Sequence, residues 1–327
     1  MKGLLRKNII IIFVSTLICL TVSSGSFAKT PLRVGYLPIL DHLPLLISHK
    51  RDNKTFRQVD VKPKMFKSWG NMVGALKAGK LDGCLILSPL AMKLFNSGME
   101  VKTILLAHRD GSAITVKPDL KIRSVADFKG KAIAIPHRAS THVALLDRFL
   151  RSGGLSVKDV VTKVIAPSNM VIAMKRGCID AFIVAEPFGT KAQAEGVGHV
   201  HVLTKDIIQH HVECIVILTD NFISAHAPGV QEWTDSLIRS GKFIDQDKLE
   251  SGSRNVAKIA AQYLPHSEEV IVNGFQNPSD RISFSDLNPV ADDFQKIAEA
   301  SAQAGIIGDV DLENFIVGDF YRQSSEK

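Results

Sequence analysis

The sequence predicts an α/β fold made of two similar lobes. The segment ALKAGKLDGCLILSP begins at Ala75, and AMKRGCIDAFIVAEP begins at Ala173, 98 residues later; the two align without a gap. A second pair has the same offset, with RVGYLPILDHLPLLISHKR from Arg33 and KAIAIPHRASTHVALLDRF from Lys131. Two matched pieces at one offset indicate that the chain contains two equivalent halves.

Each half begins with a short apolar strand, a turn that contains proline and an amphipathic helix. About 40 residues further on, each half has a second helix, a turn and a second strand. Gly79 and Gly177 stand where glycine commonly ends a helix. LDGCLIL and IDAFIVA are short and almost continuously apolar, which is typical of strands buried on both faces of a parallel sheet.

Two further β-rich runs predict the connections between the lobes. GSAITVKPD covers residues 111–119, and ECIVILTDN covers residues 213–221. A lobe that is entered by one strand and left by another has a two-stranded hinge. We therefore predict a first lobe from residues 29–114 and 215–327, covered by a helical C-terminal segment, and a second lobe from residues 115–214.

The first 28 residues are predicted to be a signal peptide. Lys2, Arg6 and Lys7 precede an apolar stretch of about 15 residues, which is shorter than the roughly 20 that cross a bilayer. Small residues at Ser26 and Ala28 favour cleavage after Ala28, with an uncleaved membrane anchor as the alternative. Cleavage predicts an exported, periplasmic protein.

Composition narrows the classes of partner. The formal net charge is +7, and loss of three lysines and arginines with the signal peptide would leave +7 − 3 = +4. The basic residues are scattered, so nucleic acid is excluded as a partner, whereas small anions are favoured. No GxGxxG, Walker A, HExxH or GxSxG motif is present, so no enzyme activity and no cofactor are predicted.

Three cysteines follow the predicted signal peptide, and none lies in a CxxC motif. Cys84 and Cys178 adjoin apolar strands, and both are expected to be buried free thiols. A disulfide between them is the alternative in an oxidising compartment.

The predicted ligand site is a cleft between the lobes. Ligands of open α/β sheets bind beyond the carboxyl ends of the strands. The RASTH segment offers hydroxyls and free N–H groups at a helix start, which suits an anion, although Ser140 could be only an N-cap. Glu186 follows a strand end and could neutralise a ligand cation, pair with a hinge arginine or lysine, or be solvated. Histidines concentrate on the predicted cleft loops, at His42, His137, His142, His210 and His211, and the first three are candidate contacts.

A metal site is not predicted. His42, His137, His142 and Cys214 are conceivable ligands, but none of them has the local spacing of a metal motif.

These segments resemble the extracytoplasmic solute-binding proteins of ABC importers, and in particular the nitrate/bicarbonate-binding and sulfonate/taurine-binding group. The similarity covers about residues 33–225 and rests on GYLPILDHLPLLIS, SWGNMVGALKAGKLDGCLILSPLAMKL, RDGSAITV, GCIDAFIVAEPFGTKA and IIQHHVECIVILTDNFI. It implies a periplasmic-binding-protein-like fold of type II, with two hinge crossings and the ligand between the lobes.

The resemblance also implies site residues. Asp41 belongs to the opening motif, and four residues fall where nitrate/bicarbonate-type proteins contact their ligand: Trp69, Gly111, Ser112 and His142. Cys214 occupies the position of a lysine that balances an anion in nitrate-type proteins. The aromatic residue after Glu-Pro is Phe188 in place of tryptophan, and His42 replaces a small alanine. The departures put nitrate in doubt as the ligand.

The implied function is that of a monomeric periplasmic protein that captures a small anionic or organic-acid-like solute and delivers it to a membrane permease with a cytoplasmic ATPase. Two alternatives share the fold. One is an enzyme like the yeast thiamine-pyrimidine precursor synthase, whose cysteine-rich motif is missing here. The other is a sensory ligand-binding module, which gene neighbourhood would distinguish.

Overall fold

The computed structural model describes residues 28–276 and 278–326. The predicted signal peptide, apart from Ala28, lies outside the described residues. None of the helices in the described part is long and apolar enough to cross a membrane.

The first of two five-stranded sheets contains the start of the chain. Its strands are β1 (Thr30–Tyr36), β2 (Val59–Met65), β3 (Gly83–Leu87), β4 (Val101–Leu106) and β11 (Cys214–Thr219). They are ordered β2–β1–β3–β11–β4, with β1 parallel to β2 and β3, and β11 antiparallel to both of its neighbours. Every residue of β3 is buried, as its apolar sequence predicts.

The second sheet repeats this topology. Its strands are β6 (Ser112–Val116), β7 (Ala132–Ile135), β8 (Val161–Val164), β9 (Ala181–Ala185) and β10 (His199–Leu203). Their order is β8–β7–β9–β6–β10, and β6 is antiparallel to both of its neighbours. Strands β7 to β10 therefore correspond to β1 to β4, and each sheet holds one antiparallel strand that the chain adds on crossing.

Helices cover the faces of both sheets. Those of the two repeated halves are α1 (Leu43–Asp52), α2 (Trp69–Lys77) and α3 (Ser88–Asn96), then α4 (Thr141–Arg151), α5 (Pro167–Lys175) and α6 (Phe188–Ala194). The C-terminal segment adds α7 (Asp220–Ala225), α8 (Ala227–Glu250), α9 (Arg254–Ala260), α10 (Glu268–Gln276), α11 (Ala291–Gln303), α12 (Leu312–Phe315) and α13 (Asp319–Ser325). Helix α8 packs on α1 and β2, so this segment returns to the first sheet.

The repeated residues have the same structural role in both halves. Asp82 accepts a hydrogen bond from the backbone N–H of Arg33 at 2.8 Å, and Asp180 accepts one from Ala132 at 2.9 Å. Asp82 lies just before β3, and Asp180 lies just before β9. Each carboxylate thus links the start of its strand to the neighbouring parallel strand, β1 or β7. The glycines that end α2 and α5 are both left-handed, with φ near 67° and 69°.

The chain crosses between the sheets at two adjacent places. Arg109 forms an isolated antiparallel β-bridge with Val212. The backbone N–H of Asp110 donates to the carbonyl oxygen of His211 at 3.1 Å. The short strands β5 (Arg109–Asp110) and β12 (Ile282–Ser283) pair beside this point. The boundary predicted after residue 114 falls inside β6, and the one after residue 214 falls inside β11.

Gly111 is required at the first crossing for two reasons. Its φ of 105° disfavours a residue with a side chain, and an added Cβ would lie 2.7 Å from Cδ1 of Ile282.

We expect Gly111→Ala to lower the free energy of unfolding by about 2 to 4 kcal/mol, since strain and overpacking add. Gly98→Ala is the matched control, because Gly98 has a φ of 84° and open space around it. In urea denaturation, the control should lose less free energy of unfolding, about 1 kcal/mol. Equal losses in the two variants would contradict the role of Ile282.

The cysteines correct one expectation. Cys84 is buried, but Cys178 is exposed, and both are free thiols, so the predicted burial of Cys178 is wrong and the two do not form a disulfide.

Candidate functional site

Buried polar side chains meet where the two crossings pass between the sheets. They come from the turn after β1, the start of α2, the end of β4, the start of β6, the start of α4 and the start of β11. Burying polar groups costs free energy unless they find partners, and a hydrophobic core does not require them. A cluster of buried polar side chains therefore indicates a functional site. The members are no more than 5% exposed: Asp41, His42, Trp69, His108, Asp110, Ser112, His142, His211, Glu213 and Cys214.

Glu213 connects the two halves at this position. Its Oε1 accepts a hydrogen bond from Ser112 Oγ at 2.5 Å and lies 3.0 Å from His142 Nε2, while its Oε2 lies 3.2 Å from His211 Nε2. Burial alone would raise the pKa of Glu213. The nearby imidazoles of His142 and His211 outweigh burial and hold this pKa well below its usual range, so Glu213 is a carboxylate.

His211 is held between two carboxylates. Its Nδ1 lies 2.8 Å from Oδ1 of Asp110 and 2.8 Å from the carbonyl oxygen of Ile208, and its Nε2 faces Glu213. Desolvation would lower the pKa of His211, but hydrogen bonds to Asp110 and Glu213 prevail and raise it to about 10. His211 is therefore an imidazolium at neutral pH.

A second group lies around Asp41. Its Oδ2 is 3.1 Å from Nε2 of His108 and 3.8 Å from Sγ of Cys214. The backbone N–H of Cys214 also points to the same His108 Nε2, at 3.2 Å. Burial raises the pKa of Asp41 to about 6 despite the neighbouring His108. Burial also raises the pKa of the Cys214 thiol well above its ordinary value.

The rings of His42 and Trp69 each present a hydrogen-bond donor that has no partner within the described residues. His42 Nδ1 accepts from the backbone N–H of Leu37 at 2.9 Å, and burial lowers the pKa of His42 well below its ordinary value. A neutral imidazole that accepts at Nδ1 carries its proton on Nε2. His42 Nε2 and Trp69 Nε1 are therefore buried N–H donors, and neither has an acceptor. The two rings meet edge to face at 5.7 Å, so both donors lie in the same part of the site.

Other buried polar atoms of the cluster also lack partners among the residues described. They are Oδ1 of Asp41, Nδ1 of His108 and Nδ1 of His142. Unpaired buried polar atoms cost free energy, and their concentration here indicates a place for a bound molecule.

The structure brings together seven of the ten residues that the sequence suggests as ligand contacts: Asp41, His42, Trp69, Gly111, Ser112, His142 and Cys214. The other three have partners elsewhere. His137 is half-buried and accepts from the N–H of Ala139, and Ser140 is the N-cap of α4, accepting from Val143. Glu186 pairs with Arg281 at 2.6 Å, which is the arginine pairing considered as one of its alternatives.

The sequence did not suggest His108, Asp110, Glu213 or Arg281 as ligand contacts. His108 follows the apolar run VKTILLA, whose first six residues form β4, and a polar residue just beyond a strand was the available signal. Asp110 stands in the quoted segment RDGSAITV, immediately before the glycine that drew attention. Arg281 belongs to a part of the chain with no distinctive motif.

Comparisons with known proteins agree with this architecture. A bicarbonate transport ATP-binding protein from Synechocystis sp. is 27% identical over 224 residues, which cover 63% of this chain and 34% of that protein. The chain thus spans about a third of that relative's length.

Two solved structures share the fold over 91% of the chain. The ligand-binding component of an ABC-type import system from Staphylococcus aureus with zinc bound has a TM-score of 0.82 and 23% identity, and all of that chain is covered. The periplasmic nitrate-binding protein from Synechocystis PCC 6803 has a TM-score of 0.80 and 18% identity, with 89% of it covered. Both are named as binding proteins, and a desulfurization enzyme shares the same fold, with a TM-score of 0.66 and 14% identity.

The predicted two-lobed periplasmic-binding-protein-like fold is therefore confirmed, and so is the predicted resemblance to this group of import proteins. The model of the NMT1-like family matches residues 25–261, which is most of the sequence. With its repeated sheets, its paired crossings and this match, the chain belongs to the NMT1-like family.

Proposed function

We propose that the chain is the solute-binding component of an ABC importer. It acts in the periplasm as a monomer, captures a small solute between its two sheets and delivers it to a membrane permease served by an ATPase. The observation that carries the proposal is the pair of buried, unpartnered donors at the meeting point of the sheets, His42 Nε2–H and Trp69 Nε1–H. They favour a solute with acceptor oxygens, such as a small oxyanion or organic acid.

Burial implies that the solute enters only when the lobes separate. Trp69 and His142 are each 1% exposed, and contacts between the lobes close the cleft over them. The backbone N–H of Leu40 donates to the carbonyl oxygen of Glu186 at 2.9 Å, and Arg281 binds the Glu186 carboxylate. This arrangement suits a clamp that closes by hinge motion.

The hydrogen bonds at Ser112 do not favour an enzyme. Ser112 Oγ and His142 Nε2 are 2.9 Å apart, a distance suited to a nucleophile and its base. However, Glu213 Oε1 lies within hydrogen-bond distance of both atoms, and it accepts the serine proton. A base would need a free lone pair at Nε2 and an orienting partner at Nδ1, which is unpartnered.

A thermal-shift screen tests the proposal with nitrate, bicarbonate, methanesulfonate and taurine as separate probes. At a concentration of 100 times its Kd, a bound solute raises the free energy of unfolding by about 2.7 kcal/mol. Small-angle scattering with the stabilising probe should also show a smaller radius of gyration. A stabilising probe that leaves the scattering profile unchanged at saturation would contradict the clamp.

Replacing Trp69 with phenylalanine should weaken binding of the stabilising probe. The variant keeps one aromatic ring but loses the pyrrole part of the indole with its N–H donor, and we expect about a 5- to 30-fold higher Kd, corresponding to one hydrogen bond of about 1 to 2 kcal/mol. Trp233→Phe is the matched control, because Trp233 is equally buried with an unpartnered Nε1 but lies on α8. Isothermal titration should show an unchanged Kd for the control. A similar loss in both variants would mean that Trp69 acts only through packing.

A further inference from the structure

Three side chains with metal-ligating atoms converge in the buried group around Asp41. Asp41, His108 and Cys214 are each fully buried, and one ligand atom of each lies within 4.8 Å of the other two. Oδ2 of Asp41 is 3.1 Å from Nε2 of His108 and 3.8 Å from Sγ of Cys214.

These separations suit a tetrahedral ion. Zinc binds oxygen and nitrogen at about 2.0 Å and sulfur at about 2.3 Å, which places tetrahedral oxygen and nitrogen ligands about 3.3 Å apart and oxygen and sulfur ligands about 3.5 Å apart. The two measured distances differ from these by only a few tenths of an ångström. Two of the three separations thus fit an ion, and the third, between His108 Nε2 and Cys214 Sγ, is within 4.8 Å.

Hydrogen bonds within the group do not satisfy its members. His108 Nε2 faces the Asp41 carboxylate, to which it would have to donate, and the backbone N–H of Cys214, from which it would have to accept. A ring nitrogen carries either a proton or a lone pair, so it cannot do both. Oδ1 of Asp41 is also buried and has no partner in the part of the chain that the structure describes. A cation among these atoms would bind the lone pairs of Oδ2, Nε2 and Sγ together.

We propose that Asp41, His108 and Cys214 form a binding site for a divalent transition-metal ion of the zinc class. A thiolate and an imidazole favour zinc or cobalt over calcium and magnesium. The thiol proton of Cys214 passes to solvent as the metal–sulfur bond forms. With three protein ligands, a tetrahedral ion keeps one open position, which an oxygen of the solute can fill.

The ion would also account for the charges of the site. Asp41 and Glu213 are acidic residues close to the unpartnered donors, and their carboxylates would repel an oxyanion. A divalent cation offsets that repulsion. The site goes beyond the transport role and does not depend on it, since it is tested by metal binding to the purified protein.

All three ligands belong to the part of the chain that builds the first sheet. Asp41 follows β1, His108 follows β4, and Cys214 begins β11. The site is therefore complete within one lobe, and the second lobe approaches it through Ser112 and His142, which contact Glu213 next to Cys214. The ion can bind while the lobes are apart.

Isothermal titration of chelator-treated protein with zinc chloride alone tests the site. We expect one ion per chain, with calcium and magnesium chloride giving no heat. Cys214→Ser and His108→Gln should each weaken zinc binding by more than the roughly 10- to 100-fold that loss of an outer-shell partner costs. Cys178→Ser is the matched control, because Cys178 is a free thiol on the surface, and its binding should equal that of the wild type. Zinc affinity that is unchanged in Cys214→Ser and His108→Gln would overturn the site.

Cobalt chloride gives a readout that does not depend on the stability of the variants. Cobalt bound at the site should show thiolate-to-metal charge-transfer absorption in the wild type and in Cys178→Ser. Absence of this absorption in cobalt-saturated wild type would also overturn the proposal.

Binding experiments with zinc chloride and the four probes on the same purified protein distinguish this proposal from the transport role. Binding of nitrate, bicarbonate, methanesulfonate or taurine to zinc-loaded protein only would support the site. If one of the four anionic or sulfonate probes binds chelator-treated protein and zinc chloride does not bind, the metal site is wrong and the transport proposal stands. If neither zinc nor any probe binds, both are wrong.

Discussion

Replacing His211 with glutamine is expected to lower the free energy of unfolding by about 3 to 5 kcal/mol at pH 7. The imidazolium lies between Asp110 and Glu213, and its removal leaves two buried carboxylates without their shared cation. Loss of one partner from a buried, hydrogen-bonded ion pair has a cost of this size. Urea denaturation of both proteins measures the difference.

The cost of His211→Gln should depend on pH. The pKa of His211 is raised from an ordinary value near 6.5 to about 10 in the folded protein, so the stabilisation is fully present below pH 6.5. It decreases as the pH rises and is lost above about pH 10. The groups facing the imidazole are Asp110, Glu213 and, more distantly, His108. The difference between wild type and variant should therefore narrow between pH 7 and pH 10.

His210→Gln is the control for this experiment. The His210 side chain is 81% exposed, although it adjoins His211 in sequence and faces the same Asp110 at 3.8 Å. Its replacement should change the free energy of unfolding by less than about 0.5 kcal/mol at any pH. A constant difference between wild type and His211→Gln across this pH range would show that the histidine contributes packing and no charge.

Replacing Arg281 with methionine is expected to have a similarly large effect and to open the cleft. Arg281 is 4% exposed, and its guanidinium donates to Oε1 of Glu186 at 2.6 Å and to Oγ1 of Thr190 at 3.4 Å. Methionine fills much of the same volume but leaves the Glu186 carboxylate buried without its cation. We expect a loss of about 3 to 5 kcal/mol and a larger radius of gyration in small-angle scattering.

A double-mutant cycle separates the ion pair from the packing around it. Glu186→Gln together with Arg281→Met removes both charges, so the double variant should be destabilised by less than the sum of the two single variants. Additive losses would mean that the two residues stabilise the closed lobes independently. An unchanged radius of gyration in Arg281→Met would contradict its role in closure.

The amino-acid sequence was sufficient to predict the repeated architecture. The 98-residue offset matches β1 to β7 and β3 to β9, because short apolar strands and their turn residues form local patterns. Asp82 and Asp180 illustrate why a repeat is informative: each binds the backbone of the strand that its own half places beside it. The cleft residues near strand ends were predicted for the same reason, since strand direction fixes which loops share an edge.

The sequence alone did not determine the partners within the cleft. Glu186 had three possible roles until the fold placed Arg281 against it from 95 positions further along the chain. His42 carries its proton on Nε2 only because the N–H of Leu37 donates to Nδ1. Such roles depend on distances of a few ångströms and on burial, which no local pattern encodes.

The candidate metal ligands show most clearly what the local sequence determines and what only the tertiary structure determines. Cys214 was suggested by its position and Asp41 by its motif, whereas His108 had no signal except its place just beyond an apolar run. They meet because β11 inserts between β3 and β4, which brings the start of β11 next to the end of β4 and close to the turn after β1. Local sequence therefore determined the strands, whereas the order of the strands in the sheet determined which side chains share a buried site.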